Sequence, residues 1–283
     1  MDPYITFRSI TKVFPPSGGK PAFQALKPIS FDVPKGEFFT IIGPSGCGKS
    51  TLLNVLAGLE VADTGEVCVD GRKVKRPGPD RAVVFQEAGL LPWMTVRQNV
   101  EYGLKLAGVK KVERRERAEH YLRMVHLWRF ADNFPHELSG GMRQRGSIAR
   151  GLALEPAVLL MDEPFSALDA QTRDILHEEL QRIWQETHTT IVFVTHNLQE
   201  AVYLSDRILV MTASPGSVKS IIEVPFTRPR AKDAPEIAAF AARLHGQIRD
   251  EVISVAKREL DPDWVPDRIR ADMEKSIELG DGI

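Results

Sequence analysis

The stretch GPSGCGKST, residues 43–51, follows the apolar run EFFTII and precedes LLNVLAGL. It fits the pattern G-x-x-x-x-G-K-[ST] in the strand-before, helix-after setting that gives the pattern its meaning. Glycines let a backbone turn tightly, so the N–H groups of the loop Gly43-Pro44-Ser45-Gly46-Cys47-Gly48 point into one concavity. The following helix adds the positive end of its dipole, which suits a phosphate. Lys49 is expected to reach β- and γ-phosphates, Ser50 to place a hydroxyl on Mg²⁺, and Thr51 to add a contact at the helix start. Cys47 lies inside this loop and is not expected to do chemistry, although a helix N-terminus could favour a reactive thiolate.

A phosphate cradle alone hydrolyses nothing. The second chemical element is VLLMDEP, residues 158–164. An apolar strand there delivers Asp162 and Glu163 at its carboxyl end, where open α/β sheets bind ligands. Asp162 fits as the outer ligand of Mg²⁺. Glu163 is placed to take a proton from an attacking water. Downstream, TIVFVTH puts His196 at the end of another buried strand, able to position a γ-phosphate and water.

These residues need a parallel sheet to bring them together, and the chain supplies one. Short β-branched and aromatic runs bounded by Gly, Pro and Asp fill the first 75 residues, which predicts an antiparallel β layer. Strands and helices then alternate, which predicts a mostly parallel sheet with helices on both faces. Residues 87–153 carry no strong strand pattern and read as a helical insertion. RILVMTAS and VKSIIEVPF form a closing hairpin, a proline-bearing linker follows Phe226, and Ile237, Phe240, Leu244, Ile248, Val252 and Val255 fall at helical spacing over 235–260. The expected division is an α/β domain over 1–225 and a helical extension over 226–283.

The 283 residues carry 37 basic and 38 acidic side chains, a net charge of −1, which gives no global support for nucleic-acid binding. No apolar run approaches the ~20 residues a transmembrane helix needs. The N-terminus lacks a basic segment followed by an apolar one, so no secretory signal is expected. Two cysteines suggest neither a disulfide framework nor a metal site, and a reducing cytoplasm is the expected setting.

LSGGMRQR, residues 138–145, narrows the field. With it, the chain resembles the ATPase subunit of ABC (ATP-binding cassette) transporters over about residues 4–225. The resemblance implies a P-loop NTPase of the ABC ATPase type, with ATP and Mg²⁺ as ligands. It makes Gln86 the glutamine that joins Mg²⁺ and γ-phosphate to the helical lobe, Ser139, Gly140 and Gly141 a second phosphate site, and Asp169 the aspartate of the SALD segment. Glu163 becomes the catalytic base and His196 the switch histidine. Phe14 stands where the family stacks an aromatic ring on adenine, or else is plain core; Phe23 is the less suited ring. Three positions depart from the family pattern: Gly146 and Gly151, within the helix after the signature, and Asn197 in place of aspartate. Glycine costs up to about 1 kcal/mol relative to alanine inside a helix, so a looser helix is expected.

The resemblance also implies partners. A second cassette would sandwich ATP head-to-tail between its own signature and this chain's phosphate loop. A membrane permease would dock near Leu90, Leu91, Trp93 and Met94, a cluster that could instead close the helical lobe's own core. GPDRAVVFQEAGLLPWMTVRQNV, DEPFSALDAQTR and SPGSVKSIIEVPFTRPR are similar to the nitrate/sulfonate/taurine/bicarbonate importer group, in which a solute-binding protein delivers substrate from outside. The chain would then work at the cytoplasmic face of the membrane. The competing readings are a DNA-repair ATPase, which usually carries a long coiled coil between Gln86 and Ser139, a translation factor, which usually carries two cassettes, and a non-hydrolytic binding subunit, against which Glu163 and His196 argue. The C-terminal helix reads as a packing or dimer-contact element, a regulatory element or a loosely attached appendage.

Overall fold

A computed structural model describes residues 3–16, 18, 21–232 and 234–259, with side chains through residue 255. The order of elements runs β1 (Pro3–Phe14), β2 (Phe23–Pro34), β3 (Phe38–Ile42), α1 (Lys49–Ala57), β4 (Thr64–Val69), β5 (Arg72–Lys73) and β6 (Arg81–Val84). Helices α2 (Val96–Leu106), α3 (Lys111–Met124) and α4 (Gly140–Leu152) follow without an intervening strand. Then come β7 (Val158–Asp162), α5 (Ala170–Thr187), β8 (Thr190–Val194), α6 (Leu198–Leu204), β9 (Arg207–Met211), β10 (Val218–Glu223) and α7 (Pro235–Glu259). The part of the expected C-terminal extension from residue 260 onward lies outside the described residues.

Two sheets organise these elements. One has the order β2-β1-β4-β5 and is antiparallel; the other has the order β10-β9-β3-β8-β7-β6. In the second sheet only the β9–β10 pair is antiparallel. Its central strands read as unbroken apolar runs because both faces are covered. Alternate side chains serve alternate faces. Phe38, Leu159, Met161, Ile191 and Phe193 face the helices α2–α5, whereas Phe39, Ile41, Leu160, Val192 and Val194 face α1 and the antiparallel sheet.

A third cluster joins Ile42, Ile208 and Val210 to α6 and to Ile237, Phe240, Leu244 and Ile248 of α7. The helical spacing of those α7 residues thus has a partner surface on β3, β9 and α6. The linker before α7 is fastened too. The Arg230 guanidinium donates to the carbonyls of Val202, Tyr203 and Ser205, which are orphan acceptors at the C-terminal end of α6. Burial, and then neighbouring Arg228, push Arg230 down to about 10, so it keeps its charge at neutral pH. Arg228 pairs with Asp206 and stacks 4.2 Å from the Trp184 ring.

The two glycines of α4 have a packing reason. A Cβ on Gly146 would come within 3.2 Å of a Leu90 methyl, and one on Gly151 within 3.3 Å of a Leu159 methyl. Without a Cβ, α4 lies close to the sheet at Gly151 and close to the helical lobe at Gly146, which offsets part of the propensity cost. Truncating a large side chain in the third cluster should be costly. Phe240→Ala is expected to lower unfolding stability by about 3 kcal/mol, read from the midpoint shift in a urea titration at unchanged slope.

Candidate functional site

Parallel pairing puts the carboxyl ends of β3, β6, β7 and β8 on one edge of the sheet, and the candidate residues follow those ends. After β3 the chain forms the loop 43–48, and α1 starts at Lys49. Gly48 has φ of +95°, and a Cβ there would meet a Leu26 methyl at 2.6 Å, so the turn requires glycine. A cleft of about 350 Å³ opens over this loop, lined by Phe23, Ala25, Ser45, Gly46, Gly48, Lys49, Ser50, Thr51 and Glu163.

Lys49 is buried, and its ammonium donates to the carbonyls of Gly43 at 2.9 Å and Pro44 at 3.0 Å. The loop therefore satisfies its own cation. Ser50 Oγ donates to Asp162 Oδ1 at 3.1 Å, across the intervening strand β8. Burial pushes the Asp162 carboxyl up, despite the Ser50 hydrogen bond. A half-buried carboxylate short of positive charge, beside a hydroxyl, suits a hard divalent cation. Among the described residues no group of three or more His, Cys, Asp or Glu side chains could hold a metal. Mg²⁺ bound by Ser50 and Asp162 would complete its shell from phosphate and water, which is its usual habit.

Glu163 is the residue after β7 and has φ of +43°, an uncommon conformation for a side chain of its size. Its N–H donates to Val194 O at 2.9 Å, and its carbonyl accepts from Ser166 Oγ at 2.9 Å. These contacts hold the bend, and the carboxylate Oε2 lies 2.9 Å from His196 Nδ1. The His196 side chain is 62% exposed. Asn197, the departure from the family's aspartate, accepts from the N–H groups of Gln199 and Glu200 and so caps α6 through its amide oxygen.

The Cys47 side chain is fully buried and does not line the cleft, and burial pushes its thiol up. Its carbonyl abuts Gly216, where a Cβ would come within 1.9 Å. Gly216 in turn donates to Ala25 O and accepts from Lys27 N, so the segment after β9 forms the floor of the phosphate loop. Phe14 does not line the cleft; the Lys12 ammonium lies 5.2 Å from its ring centre. Phe23, its cross-strand partner, is exposed at the cleft rim.

The signature lies elsewhere. Ser139 caps α4, accepting from Met142 N at 3.3 Å, and Gly140 lines a separate cleft of about 650 Å³ with Gln86, Arg143, Gln144, Pro164 and Leu168. The two clefts share no lining residue. Asp169 is exposed and caps α5 through Thr172 N at 2.9 Å, and this bond holds its carboxyl below the usual range.

The segment after Gln86 is strapped to the helical lobe. Gln144 donates to Phe85 O, Arg150 donates to the carbonyls of Ala88 and Gly89, and fully buried Asn99 bonds Leu91, Met94 and Thr95. Of the four apolar residues there, Trp93 is 69% exposed, Leu91 and Met94 are half-buried, and Leu90 is buried in the lobe's own packing. Sequence reasoning missed Asn99, Thr195 and Glu200, since no local spacing links them to the site.

Residues 26–166 match a family model described as ABC transporter. The chain is 49% identical over 249 residues to an ABC transporter ATP-binding protein of Methanocaldococcus jannaschii, covering 88% of this chain and 92% of that one. It is 47% identical to the taurine import ATP-binding protein of Rhizobium johnstonii, covering 82% and 88%. It is 43% identical to the nitrate import ATP-binding protein of Synechococcus elongatus over 99% of this chain and 43% of that one. A solved dimeric cassette in a post-hydrolysis state, bound to ADP and Pi, superposes with a TM-score of 0.69 at 33% identity, covering 79% of this chain and all of that one.

The burial of Cys47 has a direct readout. In the folded protein, Ellman's reagent should modify half-buried Cys68 before Cys47, and modification of Cys47 should appear only with unfolding. Mass spectrometry of the labelled peptides checks the order.

Proposed function

The chain belongs to the ABC transporter family, as the ATP-hydrolysing subunit of an importer, and from that premise we propose how its residues divide the work. The pair of contacts at the loop edge carries the reading: Ser50 with Asp162, and His196 with Glu163, each within hydrogen-bond reach.

ATP lies with its β- and γ-phosphates in the 43–51 loop, where Lys49 exchanges the Gly43 and Pro44 carbonyls for phosphate oxygen. The amides of the loop and the start of α1 add fixed positive potential. Ser50 and Asp162, joined by Gln86 from the neighbouring cleft, would hold Mg²⁺, which when bound would neutralise phosphate charge. Glu163 accepts a proton from water as the water oxygen attacks the γ-phosphorus. The bond from that phosphorus to the β–γ bridging oxygen breaks, giving ADP and inorganic phosphate. His196 orients the Glu163 carboxylate and the γ-phosphate. The adenine ring rests against an aromatic side chain of the antiparallel sheet. Phe23 has the better position for it, because it lines the cleft rim and Phe14 does not.

Two copies complete the site. Ser139, Gly140 and Gly141 of one chain cap the phosphates held by the other, and Asp169 lies near that interface. The separation of the two clefts within one chain supports this arrangement. ATP then favours the closed pair, hydrolysis withdraws that preference, and the difference is the work delivered. Delivery runs through Gln86 and the strapped segment to a permease whose cytoplasmic helix docks on Trp93, flanked by Leu91 and Met94. Leu90 anchors that surface from beneath. Among the described residues no helix is long and apolar enough to cross a membrane. The likeness to importer ATP-binding proteins supports a peripheral place for this chain at the cytoplasmic face, against a permease that spans the membrane. The solute is a small anion such as nitrate, sulfonate, taurine or bicarbonate, delivered by a solute-binding protein.

Glu163→Gln should retain ATP and form a dimer on size exclusion with Mg-ATP while turnover falls by roughly 10²-fold or more; turnover at the original rate removes Glu163 as the base. Lys49→Ala should abolish nucleotide binding in a fluorescent-nucleotide titration. Trp93→Ala should weaken co-purification of the permease at unchanged thermal stability, and undiminished assembly would refute that docking surface.

A further inference from the structure

Directly behind His196 lies a buried polar cluster that the hydrolytic reading does not use. Thr195 is 2% exposed, Glu200 5% and His177 1%. Thr195 Oγ1 donates to Glu200 Oε2 at 2.6 Å and accepts from Asn197 N at 3.0 Å. The two bonds straddle His196, leaving it at the apex of a short turn closed by the Thr195 hydroxyl. The other carboxylate oxygen, Glu200 Oε1, lies 3.2 Å from His177 Nε2 and 3.8 Å from Arg173 Nε.

The charge states are mutually consistent. Burial would push the Glu200 carboxyl up, but His177 and Thr195 hold it below the usual range, so it is ionised. Burial pushes His177 down, more than the carboxylate raises it, and its Nε2 faces Glu200. A buried carboxylate is costly unless its oxygens are answered; Oε2 accepts from Thr195, whereas Oε1 has His177 and Arg173 nearby without a formed hydrogen bond. The phenyl ring of Phe165 closes over His177 at 5.1 Å between centroids.

The geometry ties two functional segments together. His177 and Arg173 stand on α5, whose N-cap is Asp169. Glu200 stands on α6, and Thr195 opens the loop that carries His196. We propose that Glu200, braced by His177 and Arg173, is a positioning residue that holds His196 against Glu163 and makes that placement depend on the seating of α5. A shift of α5 at the Asp169 end changes what Glu200 can hold, and Thr195 passes the change to the turn at His196. The proposal deepens the hydrolytic reading above and rests on the role given there to His196.

The test is steady-state ATP hydrolysis by the full chain and its variants. Glu200→Gln and Thr195→Val should each lower kcat by about tenfold or more, since small misplacements of catalytic groups are costly. KM for ATP should stay within about twofold, because the phosphate loop is untouched. Thr195→Ser keeps the hydroxyl and should restore most of the rate, which separates a hydrogen-bond role from loss of fold. In a His196→Ala background, Glu200→Gln should add no further loss. Wild-type turnover in both Glu200→Gln and Thr195→Val overturns the positioning role alone. So does a Glu200→Gln loss that adds in full to that of His196→Ala. Full turnover in His196→Ala instead overturns the role given to His196 above, and the positioning proposal falls with it.

Discussion

A parallel sheet buried on both faces leaves only its ends for chemistry. Every backbone group inside is committed to a neighbour strand, and every side chain is committed to a core. Function is therefore confined to what each strand does on leaving the sheet. Here β3 leaves into a glycine turn, β7 into two acids, and β8 into Thr195 and His196. Their lateral order, β3-β8-β7, sets His196 between the phosphate loop and the acids without any long-range search. The Ser50–Asp162 and Glu163–His196 contacts are consequences of that order.

The electrostatics of the site follow from the same confinement. Lys49 has its charge answered by two loop carbonyls. Asp162 is less well answered, and burial raises its pKa. The cleft thus has a cation that can change partners and a carboxylate that gains from a new one. A ligand bearing both phosphate and divalent metal meets both needs at once. The second phosphate site proposed for Ser139 and Gly140 borders a separate cleft that shares no lining residue with the first. One chain is complete as a fold and incomplete as a site.

Much of this was legible in the chain itself. The strand runs of β3, β7 and β8, the hairpin of β9 and β10 and the amphipathic face of α7 all appear in the order that periodicity predicts. Local pattern carried them because each is decided by burial on a known face. Where tertiary contacts decide, local pattern fell short. The rule that a helix N-terminus activates a thiol was overridden at Cys47 by the core beneath it. Leu90 looked like surface, but α4 approaches closely enough at Gly146 to bury it. Phe14 and Phe23 are a cross-strand pair, and only the assembled sheet decides which one borders the cleft. The Glu200–His177 contact joins two helices, and no spacing in the sequence announces it.

The meeting of Gly216 with the Cys47 carbonyl means that the nucleotide cradle is not a self-contained module. Its underside is moulded by a residue from the far end of the catalytic domain, and Glu251 of α7 grips the same segment through Ala213 N at 2.8 Å. Transplanting the loop with its flanking strand and helix into another scaffold would carry over the motif but lose the mould. The portable unit is the catalytic domain together with its trailing helix.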